Sequence, residues 1–104
     1  MIQILYRPEQ YHIQILGHAQ SAPYGHDLIC ASVSILTYTL AAFIQKLQAS
    51  GHLADYTVSL QNGHAILACT PFTTISAAPV FDTICMGFQI LAENFPENVM
   101  FRRE

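Results

Sequence analysis

One long apolar segment, residues 28–49, constrains the fold more than any other part of the chain. Its apolar side chains recur at spacings of three or four, the period of an α-helix with one buried face: Val33, Leu36, Leu40, Phe43 and Leu47. Serines, threonines and a tyrosine interrupt the segment, so it is predicted to be a core helix rather than a membrane span. Gly51 is the expected C-terminal cap. The rest of the chain must therefore supply an apolar surface for this helix to cover.

That surface is predicted to be a β-sheet. Short segments with strand-like patterns occupy residues 2–7, 11–16, 55–60, 64–69 and 99–102. Asn62-Gly63, between the third and fourth of these, is the strongest hairpin signal in the chain. His12, His52 and His64 are expected to be solvated, and Cys69 is expected to pack as a small apolar residue.

A second helix is predicted to begin at Ser76, as its N-cap, with Pro79 in the first turn, and to end before Pro96. Its apolar stripe is expected to be core, or core plus dimer contact: Phe81, Ile84, Phe88, Leu91 and Phe95. The element order is then ββαββαβ, an α+β fold in a single compact domain over residues 1–104. Two helices would pack on one face of a mainly antiparallel sheet. The other face would be solvated or paired with a second subunit.

The amino-acid composition excludes some classes of function and favours others. Hydrophobic residues make up 52% of the chain and charged residues only 11%, so exposed apolar surface is expected, and we predict a homodimer. The formal net charge is −3 with four basic residues, which excludes the basic stripe that nucleic-acid binding needs. No signal peptide is apparent at the start of the sequence. Three cysteines without close pairing predict free thiols in the cytoplasm.

The candidate chemistry lies between the second strand and the first helix. His18 follows the strand, and Cys30 falls at the third helical position if Asp27 is the N-cap. There the positive end of the helix dipole favours a thiolate over a thiol, and His18 could manage its proton. Backbone N–H groups at the helix start, that of Cys30 included, could hold an oxyanion. A buried, inert cysteine remains the alternative.

The residues of this stretch form a recognisable pattern. Gly-His-Ala, a short loop and then Gly-x-Asp-x-x-Cys-Ala-x-x-Ser resembles the signature of the ribosomal-processing cysteine proteases, the Prp family. The matching positions are Gly17, His18, Ala19, Gly25, Asp27, Cys30, Ala31 and Ser34. The resemblance implies that His18 and Cys30 form the catalytic dyad and that no cofactor is needed. It also implies the substrate, the N-terminal extension of the twenty-seventh large-subunit ribosomal protein.

Other residues near the predicted dyad each have two alternative roles. Asp27 is either a helix cap or a third member that orients His18, and Ser34 either bonds back to a helix carbonyl or lies near the site. One loop is predicted to be a lid over the substrate, or else an ordinary surface connection: Gln20, Ser21, Ala22, Pro23 and Tyr24.

Three other functions compete with the protease. A non-catalytic ribosome-associated binding module of the same fold would contain an inert Cys30. A metal site of His18, His26 and Cys30 is disfavoured, because no C-x-x-C or H-x-x-x-H pair is present, and no metal is predicted. A serine hydrolase would need a G-x-S-x-G elbow, which is also missing.

Overall fold

The structure is a computed structural model, and it describes residues 1–18, 25–72 and 76–104, with the backbone alone at 25–27. Its strands are β1 (Ile2–Arg7), β2 (His12–Leu16), β3 (Leu53–Gln61), β4 (His64–Pro71) and β5 (Val99–Arg103). Its helices are α1 (Gly25–Ala49) and α2 (Ala78–Asn94), and a short 3₁₀ turn, Pro8–Gln10, joins β1 to β2. The predicted order ββαββαβ in an α+β fold is therefore confirmed.

The five strands form one mixed sheet in the order β3-β4-β2-β1-β5. Three of the four strand pairs are antiparallel, and β1 with β5 is parallel, so the sheet is mainly antiparallel, as predicted. The pairing of β2 with β4 sets Leu16 opposite His64. This non-local register brings the end of β2 beside the turn of the β3–β4 hairpin, which matters for the site described below.

Both helices cover one face of the sheet, and a single apolar core fills the space between the layers. Alternation along β1 and β2 points Ile4, Tyr6 and Ile13 into this core, where each is almost fully buried. Helix α1 contributes Leu40 and Ile44 from its buried face. Helix α2 contributes four buried residues: Phe81, Ile84, Cys85 and Phe88. Leu91 lies at the margin of the core, and Phe95 is exposed just beyond the helix. The predicted core stripe is thus confirmed except at its last residue.

The first helix is also long and apolar enough to cross a membrane, judged by length and composition alone, between Leu28 and Ala49. In the folded domain its positions at helical spacing are buried against the sheet. Even the polar Thr37 is buried there, because its hydroxyl donates to the Val33 carbonyl at 2.7 Å. The segment behaves as the covering helix of a small domain, as the sequence predicted.

The helix ends show how local signals can succeed or fail. Gly51 has φ +76, and the amide of His52 donates to the carbonyl of Leu47 at 2.9 Å, so the predicted glycine cap of α1 is confirmed. The predicted cap of α2 is wrong: Ala77, not Ser76, is the N-cap, without a side-chain hydrogen bond. Pro79 lies in the first turn, as expected, and its fixed φ suits that position.

Two histidines expected to be solvated are half-buried instead. His12 lies on the open face of the sheet, and His52 follows the end of α1. The Nδ1 atoms of both are enclosed without a hydrogen-bond partner within the described part of the chain. Burial, reinforced by the positive charge of Arg7, lowers the pKa of His12 from its usual value. The fold therefore favours the neutral form of His12, which is half-buried and not solvated as expected.

Candidate active site

An open cleft of about 470 Å³ lies where the first turns of α1, the end of β2 and the β3–β4 turn meet. Its lining includes His18, Cys30 and Ser34 from the predicted site. From the hairpin it includes Gly63 and His64. The two residues of the predicted dyad, one after the end of β2 and the other on α1, therefore border the same cavity.

His18 is fixed at its backbone. Gly17, with φ +96, turns the chain at the end of β2, and its amide donates to the carbonyl of Gly63 at 2.9 Å. The amino group of Met1 donates to the His18 carbonyl at 2.9 Å. The imidazole itself is exposed and lies against the backbone of Gly63. A side chain presented this way is held on a rigid support yet remains open to a ligand.

Cys30 is a free, half-buried thiol on α1, next to the buried Ile29. It differs from the other two cysteines, which are also free but buried in the core. Burial raises the pKa of Cys69 to about 11. Burial, followed by the negative charge of Asp82, raises the pKa of Cys85 to about 12. Cys69 is therefore the packing residue that the sequence predicted, Cys85 is a second buried thiol, and Cys30 is the accessible one.

The start of α1 corrects one prediction. The helix already includes Gly25, so Asp27 lies inside it and is not the N-cap, and Cys30 is its sixth described residue rather than its third. At that position a helical N–H is bonded to the carbonyl four residues earlier, so the Cys30 N–H is not free for an oxyanion. The dipole effect also weakens beyond the first turn. The helix dipole therefore favours a Cys30 thiolate less than the sequence predicted. The side chain of Asp27 lies outside the described residues.

Ser34 lies on the wall of the cleft, one helical turn after Cys30. The neighbouring Ser32 does bond back to the helix, because its hydroxyl donates to the Leu28 carbonyl at 2.8 Å. The Ser34 hydroxyl has no hydrogen-bond partner among the described residues, so it is available to a ligand in the cleft. The predicted lid, Gln20, Ser21, Ala22, Pro23 and Tyr24, lies outside the described residues.

Sequence reasoning missed the contribution of the hairpin to this site. His64, expected to be solvated, is half-buried and lines the cleft, with its Nε2 atom 3.5 Å from the Gln14 side-chain nitrogen. Gly63 lies next to the His18 ring. The Asn62-Gly63 turn was visible in the sequence, but its position beside His18 follows from the β2–β4 pairing, for which no local signal exists.

A metal centre finds no support in the described part of the chain, where no three His, Cys, Asp or Glu side chains are grouped to hold an ion. The competing set of His18, His26 and Cys30 includes a side chain, that of His26, which lies outside the described residues. What the described residues offer is a thiol and an imidazole on one open cavity. That combination suits nucleophilic attack on a carbonyl carbon.

Comparisons with known proteins agree with this chemistry. The fold resembles two structures of the essential ribosomal processing protease Prp from S. aureus. One, with a covalently linked product peptide, is 21% identical, covers 100% of both chains and has a TM-score of 0.78. The other, with a substrate peptide, is 23% identical, covers 99% of this chain and 97% of the other and has a TM-score of 0.70.

A third structure, SMU.848 from Streptococcus mutans, is 30% identical, covers 99% of this chain and 93% of the other and has a TM-score of 0.65. No curated protein matches the sequence. The sequence model of the family described as cysteine protease Prp matches residues 1–100, which is nearly the whole chain. The chain therefore belongs to the cysteine protease Prp family.

Proposed function

We propose that this protein is an endopeptidase with a Cys30–His18 dyad that removes the N-terminal extension of the twenty-seventh large-subunit ribosomal protein. The observation that carries the proposal is that the accessible thiol and the supported imidazole line one open cleft. The other two thiols are buried away from it. Membership of a cysteine protease family supports nucleophilic chemistry for this pair.

In the proposed reaction the Cys30 sulfur attacks the scissile carbonyl carbon, and its proton passes to His18. The tetrahedral intermediate collapses by breaking the C–N bond, and the His18 imidazolium donates its proton to the leaving amine. Water then attacks the thioester carbon while His18 takes a proton from the water. The C–S bond breaks, the Cys30 sulfur regains a proton from His18, and the product leaves with a free carboxyl group. Ser34 supports the reaction by orienting His18 or the peptide, and Asp27 supports it by orienting His18.

The open shape of the cleft and its mixed polar and apolar walls favour a peptide as substrate. The cleft is open, and its walls combine polar groups with the exposed aromatic ring of Tyr38 and the exposed Leu60. An extended segment with apolar side chains could lie along such a surface while its backbone meets the polar groups. The S. aureus protein has been captured with substrate and product peptides, which supports the same class of ligand here.

The direct test is incubation with the ribosomal protein carrying its extension, with the products read by intact mass. The wild-type protein should release one N-terminal fragment, and Cys30→Ala should release none. A ribosomal protein already lacking the extension serves as the control and should keep its mass. Binding without cleavage by the wild-type protein would favour the competing non-catalytic, ribosome-associated module.

We also propose that the protein is a cytoplasmic homodimer. The free Cys30, Cys69 and Cys85 fit a reducing compartment. Exposed apolar side chains lie opposite the buried face of each helix, such as Ile35 (62% exposed) on α1 and Met86 (62%) on α2. Apolar exposure of this degree is commonly covered by a partner. Sedimentation at tens of micromolar should give twice the mass of one chain.

A further inference from the structure

The turn of the β3–β4 hairpin lies against the proposed dyad at Gly63. A Cβ placed on Gly63 would fall directly against His18 Nε2, and it would lie 3.0 Å from Cε1 and 3.2 Å from Cδ2 of the same ring. All three atoms belong to one imidazole, so the ring covers the site where any other residue would carry its side chain. Glycine is the residue that leaves this space to His18.

Two backbone features hold the hairpin turn close to the segment that carries His18. The Gly17 amide donates to the Gly63 carbonyl at 2.9 Å, one residue before His18. Leu16 pairs with His64 at the end of the β2–β4 ladder. Gly63 also has φ +76, a conformation that L side chains rarely adopt. The turn is therefore attached to the segment that carries His18, and it approaches the ring as a fixed surface.

We propose that Gly63 is a positioning residue for His18: its bare α-carbon is the support on which the imidazole rests when it faces the cleft. Any side chain at position 63 displaces the ring and separates it from Cys30. The inference rests on the proposed function, because His18 must be the proton carrier of the dyad for its displacement to slow cleavage. Displacing a catalytic group by about 1 Å can cost about a hundredfold in rate.

The chain contains a matched control. Gly51 has the same φ of +76, but a Cβ added there meets nothing within 4 Å. Gly51→Ala and Gly63→Ala thus introduce the same methyl group in the same strained conformation, and only the second one meets His18. A loss of activity that is caused by backbone strain alone will appear in both variants. A loss of activity that is caused by displacement of the His18 ring will appear only in Gly63→Ala.

Three measurements are made on the full chain. The kcat for the extended ribosomal protein should fall about a hundredfold in Gly63→Ala with little change in KM, and stay at the wild-type level in Gly51→Ala. The pH profile of Cys30 alkylation by iodoacetamide should shift in Gly63→Ala to that of His18→Ala. In NMR spectra, the nuclear Overhauser contact between the His18 ring and the Gly63 α-protons should be present in the wild type and in Gly51→Ala.

The outcomes separate the inference from the proposed function. If the wild type does not cleave the ribosomal protein but the alkylation profile still shifts, the substrate is wrong and the positioning inference stands. If Gly63→Ala keeps both the wild-type kcat and the wild-type alkylation profile, or if the ring contact is missing in the wild type, the inference is overturned.

Folding of the variant is the remaining control. Should Gly63→Ala fail to fold, the same substitution in a His18→Ala background decides, because the displaced ring is then gone. The double variant Gly63→Ala/His18→Ala should be as stable as the double variant Gly51→Ala/His18→Ala. Failure to fold in both backgrounds would show that Gly63 serves the turn alone, and it would overturn the inference.

Discussion

Brief alkylation at neutral pH should modify Cys30 and leave Cys69 and Cys85 untouched. Cys30 is half-buried on the cleft wall, whereas Cys69 and Cys85 are 2% and 4% exposed. Alkylation requires the thiolate, so both the fraction ionised and the access to solvent limit the rate. The three thiols of one chain thus form an internal comparison in which only the environment differs.

The size of the difference follows from the two raised pKa values. Burial raises the pKa of Cys69 to about 11 and that of Cys85 to about 12. At pH 7 about one Cys69 thiol in ten thousand is ionised, and about one Cys85 thiol in a hundred thousand. An ordinary exposed cysteine is a few per cent thiolate at this pH. The core thiols should therefore react at least about a hundredfold more slowly than an ordinary cysteine, before their burial slows them further.

The assay is a short treatment with iodoacetamide at pH 6 to 7, followed by quenching, digestion and mass mapping. Protein unfolded in denaturant is the control, and there all three cysteines should be modified alike. His18→Ala should slow the labelling of Cys30 without exposing the other two. Equal labelling of the three cysteines in the native protein, or an unreactive Cys30, would refute the assignment of Cys30 as the activated thiol.

Three further predictions concern stability and assembly. Because the folded-state pKa values of Cys69 and Cys85 lie above the ordinary value of 9.0, the free energy of unfolding should decrease as pH rises from about 9 to 12, by about 2 to 4 kcal/mol per thiol. Alkaline denaturation of Cys69→Ala should show a smaller decrease, and an unchanged pH dependence would contradict this reasoning. The lowered pKa of His12 predicts the opposite window: stability should decrease as pH falls below about 6.5, and His12→Gln should lessen this loss in urea titrations. For assembly, Ile35→Glu should shift sedimentation from dimer to monomer, and the exposed Gln45→Glu on the same helix should not.

The sequence predicted most of the fold because its signals are local. Alternation in β1 and β2, the period of α1 and the glycine cap at Gly51 each depend on residues that are close in the chain. The helix start was predicted too late because Asp27 is typical of an N-cap and is also accepted inside the first turns of a helix. Ser76 shows the same limit, since a residue with a capping side chain precedes the true cap by one position.

The missed parts of the site depend on long-range pairing. Nothing near Asn62 or Gly63 in the chain indicates that their turn faces His18. That proximity arises only when β4 pairs with β2 in the register that sets Leu16 opposite His64. His64 was expected to be solvated for the same reason, because a residue directly after a turn is exposed unless another element lies beside it. The proposal that His18 and Cys30 form a dyad came from a motif, and the structure places both residues on one cleft.

The most direct test of the central claim is a comparison of kcat/KM for the extended ribosomal protein among wild type, Cys30→Ala, His18→Ala and the double variant. Both single variants should lose nearly all cleavage, and the double variant should be no worse than Cys30→Ala, because the two residues serve one step. Melting curves of all four should overlap closely, since alanine suits a helix and His18 is exposed. His26→Ala should cleave at close to the wild-type rate. Cleavage that survives in Cys30→Ala, or that is lost in His26→Ala and restored by added zinc, would contradict the account.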